Sequence, residues 1–468
     1  MTPSPSSPLT PSPSPSPSPS TTVPAHELRA RFARALSDLY GEEVPAYTTL
    51  VEVSQQVNAD VIAERGSDAE RLGDLARVTA ERHGAIRVGT PEELAQVARV
   101  FGAVGMYPTG FYDLREAEPN PVPVVSTAFR PLDGDELARN PFRVFTSLLV
   151  PEDRRFFDAG LEDRLRTFLA GRRLFPDELL ELADRAEEGG GLAPADADRF
   201  IALATASFAL SDEPVDRTWY AELEEVSSVA ADIGGVTSTH INHLTPRVLD
   251  IDALYARMGE RGIEMIDRIQ GPPRWDGPDV LLRQTSFRAL SEPRRFREAD
   301  GSVGSGTLRV RFGEVEARGI ALTRAGRDLY DRALGSGEWE SLMPRTEREL
   351  LARGLAFFRF TAVPEKVAAP VSDDLLTLVD EGLLVAEPIV YEDFLPRSAA
   401  GIFSSNLTGQ GSVDASRDAA VRDAAWMAEV IGRTVHDPYD LYAAQSEASL
   451  ERAAQALGLP EGVRTSGV

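Results

Sequence analysis

Thr237-Ser-Thr-His240-Ile-Asn242-His243-Leu-Thr245-Pro246-Arg247 follows the glycine pair Gly234-Gly235 and runs into apolar Val248-Leu249. The stretch holds two of the chain's five histidines. It reads as the first strand of a module that turns a histidine inward. Its spacing occurs once before: His83-Gly-Ala-Ile-Arg87 and His243-Leu-Thr-Pro-Arg247 are both histidine, three residues, arginine. A second echo follows each at nearly the same interval, Thr127-Ala-Phe129-Arg130 and Thr285-Ser-Phe287-Arg288. Two matches in the same order point to a duplication. The fold class expected is therefore α+β, with two duplicated βαβββ-type modules forming a central barrel-like mixed sheet. Helical parts are expected at the N-terminus, in an insert and at the C-terminus.

Around this stretch the chain divides as follows. Residues 1–24 alternate Ser, Pro and Thr, cannot bury apolar surface and read as a disordered tail. The tail has neither the apolar nor the basic region of a secretory signal. Residues 25–80 read as a helical lead-in, with Leu28, Phe32, Leu36 and Leu39 on one stripe. Residues 81–150 read as the first βαβββ module. Its strands are expected at 83–88, 107–114, 124–129 and 142–150, and its helix after Thr90-Pro91-Glu92-Glu93. Residues 151–225 read as a helical insert. Residues 226–330 form the second, metal-binding module, with strands expected at 240–248, 280–289 and 307–316. Residues 331–468 read as a helical C-terminal part with a polar loop near 391–406.

Composition limits the chemistry. With 49 basic and 74 acidic residues the formal charge is −25, which argues against nucleic acid or an anionic membrane surface as partner. No apolar run approaches the roughly 20 residues of a membrane span. A soluble, cytoplasmic chain is expected. Cysteine is absent, so thiolate nucleophiles, disulfides and zinc–thiolate sites are excluded. The one lysine, Lys366, leaves little scope for Schiff-base chemistry. Any metal must be held by nitrogen and oxygen.

Two histidines and a carboxylate on one face is the donor set of non-haem Fe(II) oxygenases, with positions left for substrate and dioxygen. The modules supply His83 and His243. Glu316 is the expected carboxylate and Glu314 the alternative, since side chains two apart in a strand share a face. His240, three residues from His243, faces the other way and is expected to support or pack. Arg87 shares the face of His83, and its planar guanidinium suits capture of a substrate carboxylate. Ser126, Thr127 and Arg130 could line the same cavity.

Six segments together resemble one known family: His83-Gly-Ala-Ile-Arg87, Gly110-Phe-Tyr-Asp-Leu114, Ser126-Thr-Ala-Phe-Arg-Pro131, Ile241-Asn-His-Leu-Thr-Pro-Arg247, Glu316-Ala-Arg-Gly-Ile-Ala-Leu-Thr323 and Tyr391-Glu-Asp-Phe-Leu-Pro396. They are similar to the 2-oxoadipate dioxygenase/decarboxylase family, over everything but the Ser-Pro tail. The resemblance implies a vicinal-oxygen-chelate-like fold holding Fe(II). It implies conversion of 2-oxoadipate and dioxygen to 2-hydroxyglutarate and carbon dioxide, a step of lysine catabolism. Carried over, the metal ligands fall on His83, His243 and Glu316, and the catalytic, substrate-carboxylate arginine on Arg87. Arg397 and Ser398 fall where family members approach the substrate. The family pattern has a small apolar residue before that serine, where this chain has Arg397. Two other functions fit the same residues: a metal-dependent isomerase or lyase working without dioxygen, and a non-catalytic binding module.

Overall fold

The computed structural model describes residues 22–66, 75–117, 121–309, 311–364, 372–395, 413–414 and 416–465. Two N-terminal helices lead in, α1 (Ala25–Glu43) and α2 (Pro45–Arg65). Leu28, Phe32, Leu36 and Tyr40 recur every four residues along α1, and all four are buried. Leu39, expected on that stripe, is only partly buried, and Tyr40 takes the inner position.

The next stretch alternates strand and helix. Strand β1 (Arg82–Val88) is followed by α3 (Pro91–Ala103), then by β2 (Tyr107–Asp113), β3 (Val124–Arg130) and β4 (Arg143–Leu149). The start of α3 is fixed by a capping box. The Glu93 amide donates to the Thr90 hydroxyl at 3.2 Å, and the Glu93 carboxylate accepts from the Thr90 amide at 3.2 Å. Glycine at 105 turns the chain out of α3 with φ 70°.

Further on lie α4 (Ala159–Ala170), α5 (Asp177–Gly189), α6 (Pro194–Ser207), α7 (Arg217–Val226) and α8 (Ser228–Gly234). Strand β5 (His243–Pro246) and α9 (Ile251–Glu260) come next. They precede β6 (Leu282–Ser286), β7 (Glu292–Arg297), β8 (Val303–Leu308) and β9 (Glu314–Arg318).

One sheet carries the order β2-β3-β4-β1-β5. The β1–β4 pair is parallel, and the others are antiparallel. Strand β9 pairs antiparallel with β6. A bridge between Arg247 and Glu316, with the Val248 amide donating to the Glu316 carbonyl at 2.8 Å, sets β9 beside the end of β5. The fold is thus mixed α+β with several sheets. The expected barrel-like closure is absent among the described residues, because β2 and β6 end the run on opposite sides and no ladder joins them.

Two other expectations change. Residues 307–316 are not one strand. β8 ends at Leu308 and β9 begins at Glu314, because 292–297, expected as loop, forms β7 and pairs with β8. The C-terminal part, expected to be helical, also holds an antiparallel pair, β10 (Phe358–Ala362) with β11 (Leu384–Pro388). Among the described residues no helix is long and apolar enough to cross a membrane.

Alternation along β1 sends His83, Ala85 and Arg87 to one face. Their cross-strand partners on β4 are Arg143, Phe145 and Ser147. On β3 the Ser126 hydroxyl meets that of Ser147 at 2.9 Å, so the same face continues across the sheet. Thr127, of opposite parity, donates to the Gly110 carbonyl at 2.7 Å instead of joining that face. Helix α1 locks this arrangement. The Tyr40 hydroxyl lies 3.0 Å from the Asn242 carbonyl and 2.9 Å from that of Phe312, tying both histidine-side segments to one residue. Tyr40→Phe leaves two buried carbonyls with a lost donor, so it should lower unfolding free energy by about 1–3 kcal/mol in urea titrations. An unchanged midpoint would remove the tie from this account.

Candidate metal centre

β1 and β5 deliver the two histidines side by side. Ala85 and His243 are cross-strand partners, so the rings of His83 and His243 meet with centroids 5.6 Å apart at 85°. β9 brings a carboxylate between them. Glu314 Oε2 lies 3.2 Å from His83 Nε2 and 3.3 Å from His243 Nε2. The Thr245 hydroxyl donates to the same oxygen at 3.3 Å. One donor atom from each of His83, His243 and Glu314 lies within 4.8 Å of the others, and all three residues are buried. Two imidazole nitrogens and one carboxylate oxygen, converging and shielded from water, fit a metal of the non-haem Fe(II) type.

The expected triad of His83, His243 and Glu316 is brought together only in part. Glu314 and Glu316 do share a face, but they straddle the His83 ring. Glu314 meets Nε2, and Glu316 Oε2 lies 3.1 Å from Nδ1. Glu316 is also gripped by Arg318, whose Nε and Nη2 donate to its two oxygens at 2.5 and 3.1 Å. The carboxylate that faces both Nε2 atoms is therefore the alternative, Glu314.

Charge compensation sets the protonation states. Burial pushes the His243 imidazole down, to about 4, leaving it neutral with a free lone pair at neutral pH. Burial also acts against a charged His83, but Glu316 and Glu314 outweigh it and its pKa is raised. Burial would raise Glu314, and His243 and His83 hold it below the usual carboxylate range. Glu316 is likewise held well below it, chiefly by Arg318 against the same burial. The two carboxylates thus favour positive charge at the His83 ring.

Behind this lies a largely buried ionic rack. Glu81 pairs with Arg143, with Arg247 at 3.0 Å and with Arg318 Nε at 3.5 Å. Glu392 pairs with Arg77 and, at 3.1 Å, with Arg143. Arg318 Nη1 donates to the carbonyls of Tyr391 and Asp393 at 2.8 and 3.0 Å. This brings Phe394 edge-on to His83, with centroids 5.0 Å apart, and against Phe145 at 5.0 Å. Arg130 is held by both oxygens of Asp393, at 2.9 and 3.1 Å.

Arg87, the expected substrate arginine, lies on the His83 face, paired with Asp232. Asn242 donates to the same Asp232 oxygen at 2.8 Å, and His240 Nε2 lies 3.4 Å from the other. His240 therefore supports the arginine cluster and not the donor triad. Burial pushes its pKa down to about 4. Arg397 and Ser398 lie outside the described residues.

Asp232, Glu81, Arg318 and Phe394 were not singled out from the sequence. One of them was findable. Arg318 follows Glu316 by two, so strand parity puts it on the same face of β9.

The family model for 2-oxoadipate dioxygenase/decarboxylase matches residues 32–406. The chain belongs to the 2-oxoadipate dioxygenase/decarboxylase family. Relatives named 2-oxoadipate dioxygenase/decarboxylase include one from Mycobacterium tuberculosis, 58% identical over 90% of this chain and 97% of the relative. Another, from Pseudomonas putida, is 42% identical over 92% of this chain and 97% of its own. Among solved structures, the hydroxyglutarate synthase of Pseudomonas putida in complex with 2-oxoadipate is 37% identical. It superposes with a TM-score of 0.79 over 94% of this chain and all of that one, 100%. In this member of the 2-oxoadipate dioxygenase/decarboxylase family the charged interior surrounds a buried donor set, His83, His243 and Glu314, that could hold a metal ion.

The rack predicts an acid dependence. Burial would raise Glu81, but Arg247, Arg143 and the neighbouring guanidiniums bring its pKa down from 4.5 to about 2. A depressed carboxylate stabilises the fold fully above its unfolded value and loses that contribution as pH falls through the folded one. Glu81→Gln should cost about 3–5 kcal/mol at pH 7. The gap in urea midpoint between it and the wild type should narrow below pH 4.5, toward about pH 2. A gap independent of pH would contradict this.

Proposed function

We propose that the chain is an Fe(II)-dependent dioxygenase/decarboxylase that converts 2-oxoadipate and dioxygen to 2-hydroxyglutarate and carbon dioxide, a step of lysine catabolism in the cytoplasm. The observation that carries this is the convergence of His83 Nε2, His243 Nε2 and Glu314 Oε2 at one buried point, in a chain of this family. The metal ligands proposed are His83, His243 and Glu314. Glu316, the ligand expected from the sequence, takes the place behind His83. We also take the module β5-α9-β6-β9, with the bridge at Met265–Phe287, as a repeat of β1-α3-β2-β3-β4.

Bound Fe(II) would supply Lewis acidity and open positions at which a 2-oxo acid and dioxygen meet. The protein's own residues do the rest. Neutral His243 and ionised Glu314 offer lone pairs at neutral pH. Arg87, oriented by Asp232 and Asn242, would pair with a substrate carboxylate and fix the pose. Phe145 and Phe394 form an apolar wall beside His83 and keep water from the reacting carbons. The balance is simple. A six-carbon diacid loses one carbon as carbon dioxide. One oxygen atom of dioxygen enters the new carboxylate and the other the hydroxyl.

The test is oxygen uptake by the Fe(II)-loaded protein on addition of 2-oxoadipate. Dioxygen consumed, carbon dioxide released and 2-hydroxyglutarate formed should be equimolar. An isomerised product without oxygen uptake would favour a metal-dependent isomerase or lyase, and no turnover with any 2-oxo diacid would favour a binding module. Arg87→Lys keeps the charge but loses the fork, and should lower kcat/KM roughly 10–100-fold while leaving the fold intact. Unchanged kinetics would remove Arg87 from substrate binding.

A further inference from the structure

We propose that Glu316 and Arg318 act as a positioning pair for His83. Glu316 accepts the Nδ1–H of His83, and Arg318 fixes Glu316, so that the ring is held in the tautomer and orientation that aim the Nε2 lone pair at the metal. This rests on assigning the metal to His83, His243 and Glu314.

Four observations carry it. Glu314 and Glu316 leave the same face of one strand and approach opposite nitrogens of one ring, Nε2 at 3.2 Å and Nδ1 at 3.1 Å. An imidazole can give only one of these nitrogens to a metal, and the proton then sits on the other. Glu316 Oε2 is within hydrogen-bonding distance of Nδ1, and that nitrogen makes no other hydrogen bond among the described residues, so it is open to this one acceptor. Glu316 cannot readily turn toward the metal itself. Both its oxygens are engaged by Arg318, which is anchored in turn by the Tyr391 and Asp393 carbonyls and by Glu81. His243 has no such support. Its Nδ1 has no hydrogen-bond partner and no carboxylate beside it among the described residues, and the tilted ring of Phe312 lies against it at 5.3 Å. The two histidines are therefore unequal, and His83 is the pre-oriented one.

Arg318 has a second consequence. Through the Tyr391 and Asp393 carbonyls it also sets Phe394 on the His83 ring. One side chain thus fixes the ring from its edge and from behind.

The test measures metal binding without substrate, so it does not depend on which reaction is catalysed. Co(II) affinity is determined by chelator competition for wild type, Glu316→Gln, Glu314→Gln and Arg318→Lys, each first checked for native circular dichroism. Glu316→Gln should bind Co(II) roughly 10–100-fold more weakly, and Glu314→Gln weaker still, because only the second removes a ligand. Arg318→Lys should fall between wild type and Glu316→Gln, with the visible Co(II) spectrum keeping its wild-type band positions. Wild-type affinity in Glu316→Gln would overturn the proposal. So would loss of binding in Glu316→Gln with binding retained in Glu314→Gln, which would make Glu316 the ligand. Should Glu316→Gln not fold, nitrogen-15 spectra of histidine-labelled wild-type protein loaded with Zn(II) decide the matter. His83 should show a metal-bound Nε2 and a protonated, slowly exchanging Nδ1, and a metal-bound Nδ1 would refute it. Oxygen uptake failing with 2-oxoadipate would refute the proposed reaction and leave this result standing.

Discussion

The structure depends on one electrostatic constraint: carboxylates and arginines placed where water cannot screen them must compensate each other almost completely. Glu81, Glu314 and Glu316 are each buried, as are Arg143, Arg247 and Arg318. A single unpaired charge at this depth would cost several kcal/mol, so each is answered by a partner. His83 is set between two carboxylates, Glu314 and Glu316, and His243 meets the first of them. The two imidazoles are therefore the positions at which positive charge, from a proton or a metal cation, would meet these carboxylates.

That constraint links fold to function. Strand β1 is buried along nearly its whole length and places His83 against Glu314, Glu316 and the His243 ring. β5 adds His243, and the Arg247–Glu316 bridge fixes the distance from β5 to β9. The rack then reaches into the 391–394 segment through Arg318, so the apolar cover over the metal centre is held by the same side chains that neutralise its carboxylates. Tyr40 clamps the outer side.

Much of this was legible in the residues. The repeated His-three-Arg spacing located both histidines, and parity put Arg87 beside His83 and made Glu314 and Glu316 equivalent. Parity could not choose between them. That choice depends on where β9 sits relative to β1 and β5, a long-range register no local pattern encodes. The split of residues 307–316 into two strands was hidden for the same reason. Glu292–Arg297 is Arg-rich and looks like loop, and becomes strand only by pairing with β8. Asp232 lies on a short helix far along the chain from Arg87, and nothing local marks it as the arginine's partner. The barrel-like sheet was inferred from the duplication and the family resemblance, and the described strands leave the sheet open.

The most direct measurement is an anomalous-difference map from crystals loaded with Fe(II) under anoxia. The account predicts a peak about 2.0–2.3 Å from His83 Nε2, His243 Nε2 and an oxygen of Glu314, with Glu316 outside coordination range and in contact with His83 Nδ1. A peak bonded to Glu316, or one lying away from either histidine, would contradict it.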